Sequence, residues 1–111
     1  MIEKVILDYL SSELSCPVYM EEPARKIASY VVIEKTGSRE NNHIYTATFA
    51  IQSYGTSLYN AAVLNAAVKE AMDNIVTLGE VAACQLNSDY NFTDPETKRY
   101  RYQAVFDLIH Y

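Results

Sequence analysis

The pattern of hydrophobic and polar positions changes from strand spacing to helix spacing at one glycine, Gly55. Before it, in HIYTATFAIQSY, every second residue from Tyr45 to Ile51 is apolar, which is the period of a strand buried on one face. After it, TSLYNAAVLNAAVKEAMDNIVTL has helical spacing. The apolar stripe of this helix comprises Leu64, Val68, Ala71, Ile75 and Leu78. A sheet with a packed helix is therefore expected.

The N-terminal part adds a helix and two strands. Apolar residues at helical spacing from Ile2 to Leu10 predict a first helix that packs by one face and ends before Pro17. PVYM is a short strand candidate, and YVVIEK has a β-branched centre typical of a strand. The polar residues from Thr36 to Asn42 predict a loop that leads as a hairpin into the long strand.

The C-terminal part predicts two more strands. Residues Val81 to Phe92 alternate with an interruption that indicates a bulge near Asn87, and DPET is typical of a type I turn. In the last strand Arg99, Arg101, Gln103 and Asp107 lie on the face opposite Tyr100, Tyr102, Ala104, Phe106 and Leu108. The sequence therefore predicts an α+β fold of order α-β-β-β-α-β-β, with an antiparallel or mixed sheet and two helices packed on one face.

Length and charge narrow the class of protein. A chain of 111 residues, half of them hydrophobic, fits a single domain spanning residues 1–111. Its formal net charge of -5 argues against unspecific binding to nucleic acid. The sequence has no apolar run of the roughly 18 residues that a membrane span requires. We therefore expect neither a membrane partner nor sequence-specific nucleic-acid binding.

The residues that could carry chemistry do not form a recognisable constellation. His43 and His110 lie in no nucleophile or ligand spacing, and Cys16 and Cys84 are too isolated for a zinc site. The acidic stretch from Asp89 to Glu96 resembles a calcium loop but lacks its central glycine. We expect no catalytic residue, no metal site and no cofactor, and interpret Cys84 as a small buried hydrophobe.

Tyrosines and arginines leave two alternatives open. The run KRYRY combines cations with aromatic rings, as single-stranded nucleic acid requires, but strand alternation puts them on opposite faces. A core tyrosine pair behind a charged outer face is the favoured interpretation. The chain has ten tyrosines, and Tyr45, Tyr54, Tyr59 and Tyr111 are either interface residues or covers of sheet edges.

Taken together, the elements resemble the tail terminator, or tail-completion, proteins of tailed phages and prophages. The resemblance rests on the helix IEKVILDYLSSEL, the pair PVYMEEP and ASYVVIEKTG, the strand HIYTATFAIQSYGTS running into the helix AAVLNAAVKEAMDNI, and the closing strand KRYRYQAVFDLIHY. It covers nearly the whole chain. It implies a structural protein without catalytic residues that assembles as a ring, often hexameric. Such a ring ends the tail tube and joins it to the head connector.

The resemblance also implies binding partners and a location. The chain would bind copies of itself, the major tail tube protein and the head–tail connector protein, in the host cytoplasm during assembly and then in the virion tail. We expect ring contacts from the polar face of the long strand or from the arginine face of the last, at Thr46, Thr48, Gln52, Arg99 and Arg101. The segments Gly37 to His43 and Asn87 to Thr97 are expected as loops that reach the neighbouring ring.

Other function classes remain open from the sequence. The nearest alternative is another component of the head–tail neck, a stopper or joining protein whose ring lies one level away. A small enzyme or a ligand- or nucleic-acid-binding domain belongs to a different class. An enzyme would require a concave pocket with convergent polar groups, and the sequence shows no such convergence.

Overall fold

The order of helices and strands agrees with the sequence. The computed structural model describes residues 1–25 and 27–111. Its elements are α1 (Ile2–Glu13), β1 (Val18–Tyr19), β2 (Tyr30–Asn41), β3 (Ile44–Tyr54), α2 (Leu58–Asp73), β4 (Val81–Asn91) and β5 (Arg101–His110), with a 3-10 turn at Ile75–Thr77. The predicted α+β fold and its α-β-β-β-α-β-β order are confirmed.

The sheet is mixed, with strand order β1-β2-β3-β5-β4. The two residues of β1 pair in parallel with Val31 and Val32 of β2. All other neighbours are antiparallel, so β2, β3, β5 and β4 form a four-stranded antiparallel unit. A register shift in β4 lies between Leu86 and Ser88, which confirms the bulge predicted near Asn87.

Both helices pack on one face of this sheet, as predicted. The largest hydrophobic cluster joins residues of α1 and α2 to alternate residues of the strands. Because side chains alternate along a strand, the odd positions of β3 from Ala47 to Ile51 and the even positions of β5 from Ala104 to Leu108 face the helices. The buried strand residues of this cluster are Val31, Ile33, Ala47, Phe49, Ile51, Val81, Ala104, Phe106 and Leu108.

Helix α2 is buried along a line slightly different from the predicted stripe. Val68 and Ile75 are buried as expected, whereas Leu64, Ala71 and Leu78 are partly buried at its margin. The row that faces the core is Ala61, Asn65, Val68, Met72 and Ile75. In the described part of the chain, no helix is long and apolar enough to cross a membrane.

The segment predicted as a polar loop from Thr36 to Asn42 is largely strand. β2 continues to Asn41 and pairs with β3 through a bulge between Lys35 and Gly37. Asn42 and His43 have φ values of 52° and 65°, the positive angles of a two-residue type I′ turn. The polar composition reflects exposure of this half of the strand, since its residues from Glu34 to Asn41 are all exposed.

Candidate functional site

The face of the sheet opposite the helices carries the predicted contact residues of β3. We call it the open face. Thr48 donates a hydrogen bond through Oγ1 to Asp107 Oδ1 at 2.8 Å, and Thr46 donates through Oγ1 to the Arg39 carbonyl at 3.4 Å. Both threonines are half-buried. Their hydroxyls therefore already have partners within the molecule, on β2 and β5.

A chain of hydrogen bonds crosses the open face at Gln52. Arg101 Nη1 donates to the Tyr54 hydroxyl at 2.8 Å, and this hydroxyl donates to Gln52 Oε1 at 3.4 Å. Gln52 Nε2 donates to Gln103 Oε1 at 2.9 Å, and Gln103 Nε2 donates to the Tyr90 hydroxyl. Side chains from β3, β5 and β4 are thus fixed in one orientation, because each amide uses both its oxygen and its nitrogen.

Beside this chain, arginines and aromatic rings form a stack that we call the arginine–aromatic cluster. Tyr30 and Tyr54 stack with ring centroids 4.4 Å apart and planes 10° apart. The Arg99 guanidinium lies 5.1 Å from the Tyr54 centroid, and that of Arg101 lies 5.7 Å from Tyr54 and 4.4 Å from Phe92. Cation–π contacts of this kind contribute about 0.5–2 kcal/mol each. Both guanidiniums are therefore held in place by rings on β2, on β3 and next to β4.

Arg99 lies outside the last strand, contrary to the sequence prediction. β5 begins at Arg101, and Arg99 forms an isolated bridge with Asp94 across a turn. The turn is longer than the predicted type I turn, because the Asp94 carbonyl accepts from the Lys98 N–H at 2.8 Å and Lys98 has a φ of 54°. Arg99 still reaches the open face, where it bonds the Tyr30 hydroxyl and forms an ion pair with Glu22.

A cleft of about 510 Å³ opens next to the arginine–aromatic cluster. Its walls come from the connection between β1 and β2, the junction of β3 with α2, and the turn before β5. Helix α2 begins at this junction, where Ser57 Oγ accepts from the Asn60 N–H at 3.1 Å. In the part of the chain that the structure describes, the cations in the lining are Arg25, Lys98 and Arg99. The cleft is thus a concave and basic part of an acidic protein.

Two titratable groups near the sheet have pKa values shifted by their surroundings. Burial, together with the nearby carboxylates of Asp73 and Asp107, raises the pKa of Cys84 to about 11, so its thiol stays protonated at neutral pH. Cys84 is half-buried and packs against the core, in accord with its interpretation as a small hydrophobe. Hydrogen bonds from Asn87 and Thr48 lower the pKa of Asp107.

The acidic stretch that resembles a calcium loop uses its oxygens within the chain. Asp89 accepts from Asn65 Nδ2 at 2.7 Å and forms an ion pair with Lys69. Asp94 Oδ1 accepts from the Glu96 N–H at 2.9 Å. In residues 1–25 and 27–111 no group of three or more His, Cys, Asp or Glu side chains is arranged to hold a metal ion.

Two edges of the antiparallel unit are free. β4 pairs only with β5, and β1 covers β2 only at Val31 and Val32, so the part of β2 from Ile33 to Asn41 has no strand on its outer side within the described residues. The type I′ turn makes Asn41 and Ile44 a hydrogen-bonded pair. By alternation, the Ser38 N–H then points away from β3, to the free edge.

The same alternation identifies an outward group on β4. The Phe92 N–H donates to the Arg101 carbonyl at 2.9 Å, so odd residues of β5 bond β4 and even residues bond β3. Leu86 lies opposite Phe106, an even residue. Its N–H therefore points to the outer edge, and its side chain is 44% exposed.

The structure brings some predicted contact residues together and separates others. Gln52, Arg99 and Arg101 meet around Tyr54, whereas Thr46 and Thr48 lie on the half of the open face near the type I′ turn. Sequence reasoning placed Gln103 on the arginine face without naming it as a contact residue, and it missed the rings of Tyr30 and Phe92 and the Glu22 carboxylate. Strand parity was the available signal for Tyr30.

The four tyrosines expected either at an interface or over a sheet edge divide into two groups. Tyr54 is only 4% exposed and belongs to the arginine–aromatic cluster, so it is not free to meet a partner. Tyr45, Tyr59 and Tyr111 are 37%, 76% and 79% exposed. Of the expected projecting loops, residues 87 to 91 are strand, and only the part after Asn91 is irregular.

No protein-family model matches the chain, and no curated protein has a significantly similar sequence.

Proposed function

We propose that this protein is a structural subunit of a phage or prophage tail, which forms a ring that ends the tail tube and joins it to the head connector. The observation that carries the proposal is the pair of free strand edges on opposite sides of a sheet whose helices all pack on one face. Free edges are templates for pairing with another chain. The element order, which resembles that of tail terminator proteins, supports the assignment to a tail.

The direction of the edges allows identical copies to join head to tail, as a ring requires. Three antiparallel pairings separate β2 from β4, so the two edge strands run in opposite directions. When copies stand side by side with the same polarity, β4 of one copy meets β2 of the next as an antiparallel pair. Such a contact joins two different surfaces of the same subunit, and it closes into a ring if each step adds a fixed rotation.

In this ring the helices cover one side and the open face forms the other. Contacts of Thr46, Thr48, Gln52, Arg99 and Arg101 would then belong to the partner that enters or caps the ring, the tail tube or the connector. The ring would assemble in the host cytoplasm and remain in the virion tail. A stopper or joining protein of the neck is the second candidate, because it needs the same ring geometry one level away.

Blocking one edge tests ring formation. Ser38→Pro removes an outward N–H on the β2 edge and leaves the hydrogen-bonded pairs of the hairpin intact. We expect the wild-type protein to form a ring, six copies by the resemblance, and the variant to remain monomeric with little change in melting temperature. Native mass spectrometry gives the mass, and electron-microscope class averages show the ring, with and without tail tubes.

Ser38→Ala is the matched control, since it alters the same exposed side chain and keeps the N–H. Rings formed equally well by Ser38→Pro would contradict edge pairing. A wild-type protein that is monomeric alone and also with tail tubes would contradict the proposed function, and would favour a ligand-binding domain.

A further inference from the structure

Some lysines and arginines of this acidic protein form ion pairs with carboxylates, and others do not. Lys4, Lys35 and Lys69 each form an ion pair with a carboxylate, and all three pairs lie outside the cleft. Arg25 and Lys98, which line the cleft, have no carboxylate partner among the described residues. Among the described residues of the lining, Arg25, Lys98 and Arg99 are the cations, and Arg99 pairs with the carboxylate of Glu22. Arg25 and Lys98 thus place two unpaired positive charges together where the surface is concave.

The wall of the cleft holds Arg99 in a geometry suited to a carboxylate. The Tyr30 and Tyr54 rings support one side of its guanidinium, and the side chain remains 45% exposed. A planar guanidinium that is fixed before binding loses less rotamer entropy when it forms a forked pair. The Arg99 guanidinium already pairs with the carboxylate of Glu22, from the connection between β1 and β2.

We propose that this cleft binds an acidic, extended polypeptide segment of a partner protein, whose carboxylates pair with Arg25 and Lys98 beside the Arg99–Glu22 ion pair. The volume of about 510 Å³ accommodates a few residues of such a segment. Charge complementarity selects the partner, and the positive end of the α2 dipole beside Gly55 adds to it. This inference goes beyond ring formation and does not depend on it.

Burial of the rings favours a peptide over single-stranded nucleic acid. Proteins that bind single strands stack bases on accessible aromatic faces. Tyr30 and Tyr54 are 1% and 4% exposed, and they stack on each other. Neither ring therefore has a free face on which a base could stack. The wall formed by Tyr30 and Tyr54 therefore offers no aromatic platform, and the half-buried Tyr100 is the remaining aromatic ring among the described lining residues.

The test measures binding of a fluorescent synthetic peptide of alternating glutamate and glycine. We expect saturable binding that weakens as salt approaches about 1 M, where the Debye length is about 3 Å. The double variant Arg25→Glu/Lys98→Glu should bind about tenfold more weakly, because two exposed ion pairs become two repulsions. Its melting temperature should stay near that of the wild type, since neither side chain pairs with a carboxylate in the folded protein.

Arg39→Glu is the matched control, because it reverses an exposed arginine outside the cleft, next to the type I′ turn. It should leave peptide affinity within about twofold. Equal affinity of the wild type and the double variant, or no binding by the wild type, would overturn the proposal. So would a single-stranded oligonucleotide that binds more tightly than the peptide and loses its affinity in the double variant. Repeating the titration with Ser38→Pro, which is expected to remain monomeric, shows whether peptide binding depends on ring formation.

Discussion

Single side chains of the open face do more to hold the sheet together than their exposure suggests. Asp107 on β5 accepts hydrogen bonds from Thr48 on β3 and from Asn87 on β4, so one carboxylate links three strands. These bonds favour the ionised form and lower the pKa of Asp107. The link is therefore expected to depend on pH, and to be strongest where the carboxylate is charged.

The pH dependence follows from the sign of that shift. Because the folded pKa of Asp107 is below the unfolded one, its stabilisation is present above about pH 4 and is lost as the pH falls through the folded pKa. The double variant Thr48→Val/Asn87→Ala should therefore be less stable than the wild type near neutral pH and approach it in acid. Urea unfolding across this range measures the difference.

Thr46→Val is the control for this experiment. Its hydroxyl lies on the same face but bonds a carbonyl, so its effect on stability should not change with pH. A carboxyl resonance of Asp107 that titrates at its ordinary pKa in the wild type would contradict the argument.

Local alternation was enough to place Thr46, Thr48, Gln52 and Arg101 on one face, and the structure agrees. It could not show which rings would stack between the arginines. Tyr30 and Tyr54 are adjacent because β2 and β3 pair in one particular register, and Arg99 joins them through a turn that departs from type I geometry. Pairings between residues distant in sequence determine such a cluster, and a single sequence does not reveal them.

Among the secondary-structure elements, β3 and α2 meet at a junction with no room for a side chain at its glycine. Gly55 lies so close to the first turn of α2 that an added Cβ would be 2.5 Å from the Ala61 nitrogen and 2.9 Å from the Asn60 carbonyl carbon. Both are backbone atoms, so rotation of a side chain cannot relieve the contact. The glycine that ends the strand pattern in the sequence is therefore required by close approach of the chain to itself, although its φ is not positive.

Gly55→Ala should destabilise the protein by about 2 kcal/mol or more, because α2 or β3 must move to relieve the contact. Thermal and urea unfolding of the purified variant measure the loss. Gly79→Ala is the matched control, since a Cβ there meets nothing within 4 Å and should change stability little. Equal stability of the two variants would show that the junction can relax.

The hairpin of β2 and β3 contains an element boundary that the sequence pattern does not predict. The β-branched run from Val31 to Ile33 marks a strand, but the polar residues that follow have no apolar alternation to extend it. Their strand conformation comes from pairing with β3, whose own pattern is clear, and from a turn in which Asn42 and His43 adopt positive φ. The partner strand therefore decides the conformation of this segment.

At the scale of the whole molecule, the free edges lie along its longest dimension. The described residues measure 44 × 25 × 24 Å, and a strand of eleven residues such as β4 spans about 37 Å. The strands are long enough to account for that dimension. Copies joined by their edges would share their longest side, which gives each contact many backbone hydrogen bonds. The strand order that creates these edges joins distant segments, so the pattern predicted the sheet but not its edges.

Mixing two variants tests whether the contact joins different edges. Ser38→Pro blocks the β2 edge, and Leu86→Pro removes the outward N–H of the β4 edge. Each variant alone should be monomeric, because its remaining edge finds only blocked partners. A mixture should form a heterodimer and stop there, with β4 of the first variant paired to β2 of the second. Native mass spectrometry distinguishes these species. A Ser38→Pro protein that dimerises by itself would show that β4 pairs with β4, which is a two-fold contact and cannot build the proposed ring.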